Sequence, residues 1–363
     1  MADRTSERRW LEQLTAIPTA PGEEWRVLDW VRAWVARRAD LSVRTDRHGN
    51  LLITRKGRKK AAPVVAVAHA DHPAFVVTES EGRYAAVEFR GGVRPEYFAG
   101  RPRLEFFDAR GRRHPATLVE YDPEASQGTV EASRGARLGE GDIGRWSFGR
   151  QRLGVRGGRC HAHACDDLAG VAAALAALDR SRPDPTLRHF AVLVTRAEEL
   201  GFVGAIGAAR DNTLPDDARV LSIECSREFA DSPVGGGPVV RVGDASSVFD
   251  HRLTNLVSSA AKDSGRIHQR KLMAGGSCEA TAFAAYGYST TGLCLPLANY
   301  HNMGNLDAVE AGGAPAEPMP EAVSVDDFHG LVDLLLVAAR AADGEWDLTR
   351  RLDELFERER RVL

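Results

Sequence analysis

Four short apolar runs constrain the fold of this chain more than any other feature of its sequence. They lie at 64–68 (VVAVA), 190–194 (FAVLV), 220–223 (VLSI) and 291–295 (TGLCL), and none contains a charged residue. Uninterrupted runs of this kind are typical of strands that are covered on both faces, as in parallel sheets. They alternate with stretches of helical periodicity, such as the alanine-rich segment 168–178. The alternation predicts an α/β chain, namely a three-layer α/β/α sandwich with a mostly parallel central sheet.

The stretch from 75 to 160 has a different character. Its apolar pieces are short and strand-like, glycine-containing turns separate them, and no helical period of useful length appears. We therefore expect a small, barrel-like, all-β domain at 75–160 that is inserted into a larger domain. The larger α/β domain would be discontinuous and would comprise residues 1–74 and 161–363.

Charge and cysteine content exclude several classes of protein. Among 363 residues, 48 are Lys or Arg and 51 are Asp or Glu, which gives a formal net charge of −3. A chain so nearly balanced lacks the basic surface that nucleic acid or an anionic membrane requires, so neither is expected as a partner. No apolar window is long enough to cross a bilayer. The five cysteines form no CxxC pair, and we expect buried, reduced thiols in a cytoplasmic protein.

Carboxylates and imidazoles stand at the ends of the predicted core segments. They are His69 and Asp71 after the first run, Asp166 and Asp167 before the alanine-rich helix, Glu198 and Glu199 after the second run, Glu224 after the third, and His301 after the fourth. Because ligands of open α/β sheets bind beyond the carboxyl ends of the strands, these side chains are expected to meet. Charged residues so close to buried strands are usually paired or bound to metal.

This set of side chains suits a pair of divalent ions. Zinc binds imidazole nitrogen and carboxylate oxygen, and one carboxylate can bridge two ions with its two oxygens. The predicted site has His69 and Glu224 on one ion, Glu199 and His301 on the other, and Asp166 between them.

Two further carboxylates are the predicted catalytic residues. Glu198 lies next to a predicted ligand without being one, so it is well placed to take a proton from water as the general base. Asp71 lies two residues after His69, so its carboxylate could accept the second ring N–H of that histidine and fix its tautomer.

Taken one at a time, these residues have simpler explanations. His69 could be a core histidine, Asp166 and Asp167 could cap a helix, and Glu198 and Glu199 could be a solvated pair. The order and spacing of the whole set favour the metal site over these explanations. A glycosidase that uses the two adjacent glutamates is disfavoured. Its carboxylates must face each other across roughly 5 to 9.5 Å, and residues that are adjacent in sequence seldom reach that geometry.

Three other histidines lie near these segments. For His72, a place in the pocket wall and a passive role are both left open. His161 and His163 are expected either to contact the metal ligands without binding metal themselves or to have no role in the site.

Together the motifs extend over nearly the whole chain, from Trp10 to about Ala339, and include glycine-rich segments of the insert at 91–100 and 141–142. The motifs are His69-Ala-Asp71, Asp166-Asp167, Glu198-Glu199-Leu-Gly-Phe-Val-Gly-Ala205, Gly275-Gly276 and Pro296-Leu-Ala-Asn-Tyr-His301. In this combination they resemble the tetrahedral (TET) and glutamyl aminopeptidase family of co-catalytic dizinc metallopeptidases.

The resemblance implies more than the residues do by themselves. It implies two divalent metal ions per subunit, with zinc the expected ion and cobalt or manganese the alternatives. It implies that Asp166 bridges the ions, that the Asp166–Asp167 peptide bond is cis, and that Glu198 is the base. It also implies that the insert helps subunits assemble into a homo-oligomer, from a dimer up to a dodecamer.

Three positions depart from the family pattern. Leu168 stands where the family has Arg, Glu224 stands where it has Asp, and Cys225 replaces an acidic or polar neighbour. The expected function is an aminopeptidase that hydrolyses N-terminal residues of short peptides. A carboxypeptidase or N-acyl amino acid deacylase with the same two-metal site is the first alternative, because Glu224 resembles those relatives. A catalytically silent binding or assembly module is the second.

Overall fold

Two helices begin the chain, a long series of strands follows them, and from residue 168 onward helices and strands alternate. The computed structural model describes residues 3–57, 62–149, 152–342, 344 and 346–363. The α-helices are α1 (Arg4–Leu14), α2 (Trp25–Ala36), α3 (Leu168–Ser181), α4 (Val203–Arg210), α5 (His251–Asp263), α6 (Glu279–Ala285), α7 (Leu306–Glu310), α8 (Val325–Ala341) and α9 (Leu348–Glu359). The strands are β1 (Leu41–Thr45), β2 (Leu51–Arg55), β3 (Val64–His69), β4 (Ala74–Glu81), β5 (Tyr84–Arg90), β6 (Arg103–Phe107), β7 (Arg113–Asp122), β8 (Gln127–Ala132), β9 (Ile143–Trp146), β10 (Gly154–Arg156), β11 (Arg159–Ala162), β12 (Phe190–Thr195), β13 (Arg219–Arg227), β14 (Val239–Asp244), β15 (Gln269–Met273), β16 (Ser289–Leu297), β17 (Met303–Gly304), β18 (Glu317–Pro318) and β19 (Glu321–Ser324).

The largest element is a mixed sheet of eight strands. Their order is β1-β2-β12-β3-β13-β16-β14-β15. β3 is parallel to β12 and β13, β13 is parallel to β16, and β14 is parallel to β15. The other pairings in this sheet are antiparallel. The parallel strands therefore occupy the middle of the sheet, where the apolar runs of the sequence lie.

Strand β3 illustrates why these runs are uninterrupted. Val64, Ala66 and Ala68 belong to a core cluster that includes residues of α1, α2, α3 and α8. Val65 and Val67 belong to a second cluster that includes residues of α4 and α6. Because successive side chains of a strand point to opposite faces, a strand between two helical layers must be apolar at every position. The predicted three-layer α/β/α architecture is confirmed.

A second, smaller sheet closes on itself. Strands β4, β5, β8, β7, β6 and β9 form a barrel in that order. Aromatic rings fill it: the centroids of Phe75 and Trp146 are 5.4 Å apart and those of Phe89 and Phe98 are 4.9 Å apart, both in edge-to-face contact. Such pairs add to the stability gained from apolar burial. The predicted all-β insert is present as a barrel, and the domain boundaries proposed for it stay a prediction.

The barrel is inserted beside the carboxyl end of the parallel strands. Four residues separate the end of β3 from the first barrel strand, and the chain returns through β10 and β11, which form a three-stranded sheet with β19. The returning segment leads to α3, and Asp166, just before that helix, lies 3.5 Å from His69. Both connections of the barrel therefore run next to the same edge of the central sheet.

Two findings concern the chain as a whole. Within the described ranges, no helix combines the length and the apolar character that crossing a bilayer demands. The cysteines Cys160, Cys165, Cys225, Cys278 and Cys294 are all buried and unbridged, as the sequence predicted.

Candidate metal centre

The side chains of the predicted metal ligands converge at the carboxyl edge of the central sheet. His69 is the last residue of β3, and Glu224 lies near the end of β13. Glu199 and His301 lie in short 3-10 helices that follow β12 and β16, and Asp166 lies two residues before α3. Because β12, β3, β13 and β16 are neighbours in the sheet, their ends bring these residues together.

Asp166 lies between the two histidines, and its two carboxylate oxygens face different rings. Oδ1 lies 3.5 Å from Nε2 of His69, and Oδ2 lies 3.5 Å from Nε2 of His301. A glutamate stands beside each ring as well: Oε2 of Glu224 is 3.9 Å from Nε2 of His69, and Oε1 of Glu199 is 3.1 Å from Nε2 of His301. Each imidazole therefore shares Asp166, and the glutamate nearest to it differs, Glu224 for His69 and Glu199 for His301.

Three overlapping groups of side chains have ligand atoms within 4.8 Å of one another. The groups are His69–Asp166–Glu224, Asp166–Glu199–His301 and His69–Glu198–Glu199. Oδ1 of Asp166, Oε1 of Glu199 and Oε1 of Glu224 are buried, and none has a hydrogen-bond partner among the described residues. Buried carboxylate oxygens rarely lack partners, and a set of imidazole nitrogens and carboxylate oxygens is one that zinc takes.

Burial and the crowding of carboxylates change the pKa values of the groups in the cluster. Burial would lower the pKa of His69, but neighbouring carboxylates, that of Asp166 first, outweigh burial and raise this pKa well above its ordinary value. Burial raises the pKa of Glu224 to about 8. Burial and then the charge of Glu224 also raise the pKa of Glu198 well above its ordinary value. A divalent cation would relieve this excess of buried negative charge.

Asp71 fixes the backbone that carries the two adjacent glutamates. Its Oδ1 accepts the N–H of Glu198 and its Oδ2 accepts the N–H of Glu199, both at 3.0 Å. We expected the Asp71 carboxylate to accept the Nδ1–H of His69. Instead, the shorter contact of Nδ1 is to the backbone carbonyl of Asp71, at 3.2 Å against 3.5 Å for Oδ1.

The turn that precedes the two glutamates is held tightly. Ala197 adopts a left-handed conformation with φ of 51°. Glu24 accepts hydrogen bonds from the N–H of Ala197 at 3.1 Å and from Nε of Arg196 at 2.7 Å. A Cβ at Gly204 would lie 2.2 Å from the carbonyl oxygen of Arg196. Glycine is therefore needed at this position of the motif so that the start of α4 can approach the turn.

Glu321 is a residue of the site that the sequence analysis missed. Its buried carboxylate accepts three backbone hydrogen bonds, from Cys165 at 2.7 Å and Asp166 at 3.1 Å to Oε2 and from His301 at 2.8 Å to Oε1. It thereby ties the segment before α3 to the segment after β16. Glu321 is the first residue of the short strand β19, and no motif in the sequence marks it.

A backbone group of the barrel insert contacts one of the predicted ligands. Nδ1 of His301 donates a hydrogen bond to the carbonyl of Gly92 at 2.6 Å, which leaves Nε2 free to face Asp166. Such a partner fixes the tautomer and the ring orientation of a ligand histidine. His301 also has a left-handed φ of 51°, and strained backbone of this kind concentrates at functional sites.

Two of the departures from the family pattern, Cys225 and Leu168, adjoin Asp167, the first through a hydrogen bond and the second in the chain. The thiol of Cys225 donates to Oδ1 of Asp167 at 3.4 Å, and burial raises the pKa of both groups, so the thiol keeps its proton. Leu168 is buried in the core at the start of α3. The Asp166–Asp167 peptide bond is cis, as the resemblance implies.

The three other histidines have different surroundings. His72 is buried behind the site, and its Nδ1 donates to the carbonyl of Asp166 at 2.7 Å. His163 is buried, with Nε2 at 3.2 Å from the carbonyl of Trp146, and His161 is half-buried in β11. Of the three, His72 therefore supports a predicted ligand, whereas the other two lie outside the ligand groups found in the described part of the chain.

A cavity of about 400 Å³ opens onto the cluster, within the size range of small-molecule sites. Asp166, Glu198, Glu224 and His301 lie in its wall. The remaining lining includes Arg94, Arg227, Phe229, Arg241, Met273, Gly275, Gly276 and Tyr300. The cluster is thus accessible to a small ligand from this cavity.

The fold and the cluster of histidines and carboxylates at the strand ends are those of a metal-dependent hydrolase. The model of the M42 glutamyl aminopeptidase family matches residues 140–313 of this chain. The resemblance that the motifs predicted is confirmed, and with it the prediction of a peptide-hydrolysing enzyme. Comparison with curated proteins finds no match.

Several solved structures share the fold over nearly the whole chain. The TET1 peptidase of Pyrococcus horikoshii is 21% identical, with 92% of this chain and 99% of that chain covered and a TM-score of 0.73. An aminopeptidase from the archaeon Desulfurococcus kamchatkensis is 18% identical, with 93% and 95% covered and a TM-score of 0.73. A TET aminopeptidase from Thaumarchaeota archaeon SCGC AB-539-E09 is 18% identical, with 94% and 98% covered and a TM-score of 0.74. At these identities the similarity establishes the fold.

Proposed function

We propose that this chain is a dinuclear-metal aminopeptidase that removes N-terminal residues from short peptides. The position of Asp166 carries the proposal, because its two oxygens face the imidazoles of two different ligand groups. One carboxylate shared in this way serves as the bridging ligand of a two-metal site. The family match and the fold shared with proteins named aminopeptidases support the same function.

The residues present fit two divalent ions. His69 and Glu224 would hold one ion, Glu199 and His301 the other, and Asp166 both. The unpartnered buried oxygens of the three carboxylates support this assignment. Zinc is the proposed ion because it takes nitrogen and carboxylate ligands together, with cobalt or manganese as alternatives. Bound there, the ions would polarise the scissile carbonyl group and lower the pKa of a water molecule.

We assign the transfer of protons to Glu198. Its carboxylate lines the cavity, and its Oε2 lies 4.0 Å from Nε2 of His69. It would take a proton from the attacking water and give that proton to the leaving amine nitrogen as the C–N bond breaks. Asp71, which holds the backbone N–H of Glu198, would keep this carboxylate in position.

We propose that residues 1–74 and 161–363 form the catalytic domain and that the insert at 75–160 serves subunit assembly and access of substrate. The hydrogen bond between Gly92 and His301 supports a role of the insert at the site. A homo-oligomer, from a dimer up to a dodecamer, is part of the proposal. It is supported by the dodecamer described for one chain of the same fold and by the tetrahedron or octahedral shell described for Pyrococcus horikoshii TET1.

One observation favours a second candidate function. Glu224 stands where the family pattern has Asp, and the neighbouring thiol of Cys225 donates to Asp167 instead of presenting a charge to the cavity. This favours a carboxypeptidase or an N-acyl amino acid deacylase that uses the same five ligands. A silent binding or assembly module has no need of the complete ligand set together with Glu198, so the site disfavours it.

One experiment separates these functions. The purified protein is loaded with zinc or cobalt and incubated with one short peptide in free, N-acetylated and C-amidated forms. Mass spectrometry then identifies the end that shortens. An aminopeptidase removes residues from the amino end only when that end is free, and it accepts the amidated form.

The other outcomes point to the alternatives. Shortening from the carboxyl end, or removal of the acetyl group, assigns the chain to the carboxypeptidase or deacylase class. No reaction with any form, after metal analysis has found two ions per subunit, supports the silent module.

A further inference from the structure

Glu24 is a second buried carboxylate that holds the turn on which Glu198 lies. Its residue is 0% exposed, and its Oε1 accepts the N–H of Ala197 at 3.1 Å. The next two N–H groups of the chain, those of Glu198 and Glu199, donate to the oxygens of Asp71. Three consecutive backbone donors therefore end on two carboxylates from distant parts of the chain, one just before α2 and one just after β3.

The turn itself has a strained backbone, so its shape depends on the contacts that hold it. Ala197 and Phe202, before and after the two glutamates, are both left-handed, with φ of 51° and 47°. Residues other than glycine keep this conformation only where the surrounding structure holds them in it. A turn that relaxed after losing a hydrogen bond would carry Glu198 away from its present place.

Glu24 is fixed on its other side by the loop before α2. Its Oε1 also accepts the N–H of Gly22 at 2.7 Å, and its Oε2 accepts Nε of Arg196 at 2.7 Å. Arg196 in turn donates to the carbonyl of Gly22 at 3.0 Å. Arg90, the last residue of β5, donates to the carbonyl of Pro21 at 2.8 Å. The loop is thereby closed onto the turn, and the carboxylate has little freedom to move.

A charged group at this position has an electrostatic cost. Burial raises the pKa of Glu24, and the charge of Asp71 raises it further, whereas Arg196 lowers it. Two like charges are therefore buried near each other, which is unfavourable. A carboxylate nevertheless suits the position, because its hydrogen bonds are stronger than those of a neutral acceptor and its two oxygens serve the loop and the turn at once.

We propose that Glu24 is a positioning residue for the base Glu198. It is not among the described residues that line the cavity, so it acts through the backbone of Ala197 and not on the substrate. The proposal rests on the proposed peptidase function and adds to that same site a residue that lies 173 positions from Ala197 in the sequence.

The experiment removes one acceptor at position 24 without burying an unpaired charge. It uses metal-loaded enzyme with the background substitution Arg196→Met, because an amide at position 24 would otherwise face the guanidinium with its NH2 group. In this background Glu24→Gln keeps an oxygen for the N–H of Ala197, whereas Glu24→Met has a similar length and no such acceptor. We expect kcat on a short peptide to be about 10- to 100-fold lower with Glu24→Met, the effect that a misplacement of about 1 Å can have. KM and the content of two ions per subunit should be the same in both variants.

Glu7→Met, made in the same background, is the matched control. Glu7 is a glutamate of α1 that is 1% exposed, and its Oε2 lies 2.8 Å from Nδ1 of His329. This substitution should lower resistance to denaturant as Glu24→Met does, and it should leave kcat unchanged at a temperature where the variant is folded. An equal loss of kcat in Glu7→Met overturns the proposal, and so does an equal kcat for the two variants at position 24.

Glu24→Asp in the otherwise wild-type chain provides the test if Glu24→Met does not fold. It keeps the charge beside Arg196 and withdraws the acceptor from Ala197 by the length of one methylene group. We expect kcat to fall while KM stays the same. A wild-type kcat in a folded Glu24→Asp variant overturns the proposal.

Hydrogen exchange resolved to single residues makes the result independent of turnover. The N–H groups of Glu198 and Glu199 donate to Asp71, which neither substitution at position 24 removes. If Glu24 holds the turn, both amides exchange faster in Glu24→Met than in Glu24→Gln, and equal exchange overturns the proposal. A wild-type enzyme that cleaves no peptide, while this difference in exchange is present, would instead contradict the proposed peptidase function and not the effect of Glu24 on the turn.

Discussion

Asp71 and Glu198 are joined through the backbone, because Oδ1 of Asp71 accepts the N–H of Glu198 at 3.0 Å. The other oxygen accepts the N–H of Glu199 at the same distance. One buried carboxylate thus sets the position of both the proposed base and a proposed metal ligand. It does so from a point two residues after His69, so it links the segments that follow β3 and β12.

Replacing this carboxylate by an amide should slow the reaction. In Asp71→Asn, one backbone N–H keeps an acceptor and the other faces an NH2 group, so the turn that carries Glu198 shifts. We expect kcat/KM to fall by about 10- to 100-fold, the usual cost of losing a partner that orients a metal site. Steady-state kinetics and metal analysis on the same sample measure the effect.

Asp327 offers a matched control for this substitution. It is also buried, and its two oxygens accept the backbone N–H groups of Gly235 at 2.6 Å and Gly237 at 2.9 Å. Asp327→Asn should therefore lower the free energy of unfolding about as much as Asp71→Asn does. It should leave kcat/KM unchanged at a temperature where the variant is folded. If both variants lose activity equally, Asp71 has no special part in orienting Glu198.

Glu198→Gln should separate metal binding from turnover. The amide has the shape of the carboxylate but takes no proton from water, and Glu198 is not among the proposed ligands. We expect both ions to be retained and kcat to fall by about 100- to 10,000-fold, the range that a general base contributes. Metal content and kcat are measured on one preparation, and a kcat near that of the wild type would remove Glu198 from the mechanism.

The fold was predictable because the signals are local. An apolar run such as 64–68 reports burial on both faces of one strand, and the residue that follows it, His69, then lies at the edge of the sheet. Each predicted ligand could be found in this way, because it lies at or near the end of a core segment. The parallel pairing of β3 with β12 and β13 brings those ends together without further information from the sequence.

The supporting contacts were not predictable, because they join distant segments. Glu321 lies 156 residues from Cys165, and Gly92 lies 209 residues from His301, although each pair is hydrogen-bonded. No motif surrounds Glu321, since its role is to accept backbone N–H groups, which every residue offers. The partner of the Asp71 carboxylate was missed for the same reason.

His301→Ala should remove one of two metal ions. His301 is the imidazole of the group formed with Asp166 and Glu199, whereas His69 belongs to the other group that shares Asp166. After dialysis, elemental analysis should find two ions per subunit in the wild type and one in the variant. His161→Ala is the control, because this half-buried histidine lies outside the described ligand groups, and it should retain two. Unchanged metal content in His301→Ala would contradict the ligand assignment.

Glu321→Gln tests whether the carboxylate behind the site serves the fold or the metal centre. Both of its oxygens accept backbone N–H groups, including those of Asp166 and His301, and an amide can replace only one of these oxygens as an acceptor. We expect the free energy of unfolding to fall by about 1–3 kcal/mol, the cost of an unsatisfied buried donor. If these hydrogen bonds also position Asp166 and His301 for metal binding, the variant should bind the ions more weakly. Bound ions would then stabilise its native state less, so the loss in the free energy of unfolding should be larger for the metal-loaded protein than for the protein after chelation. Denaturant unfolding in both forms measures the difference, and equal losses would assign Glu321 to the fold alone.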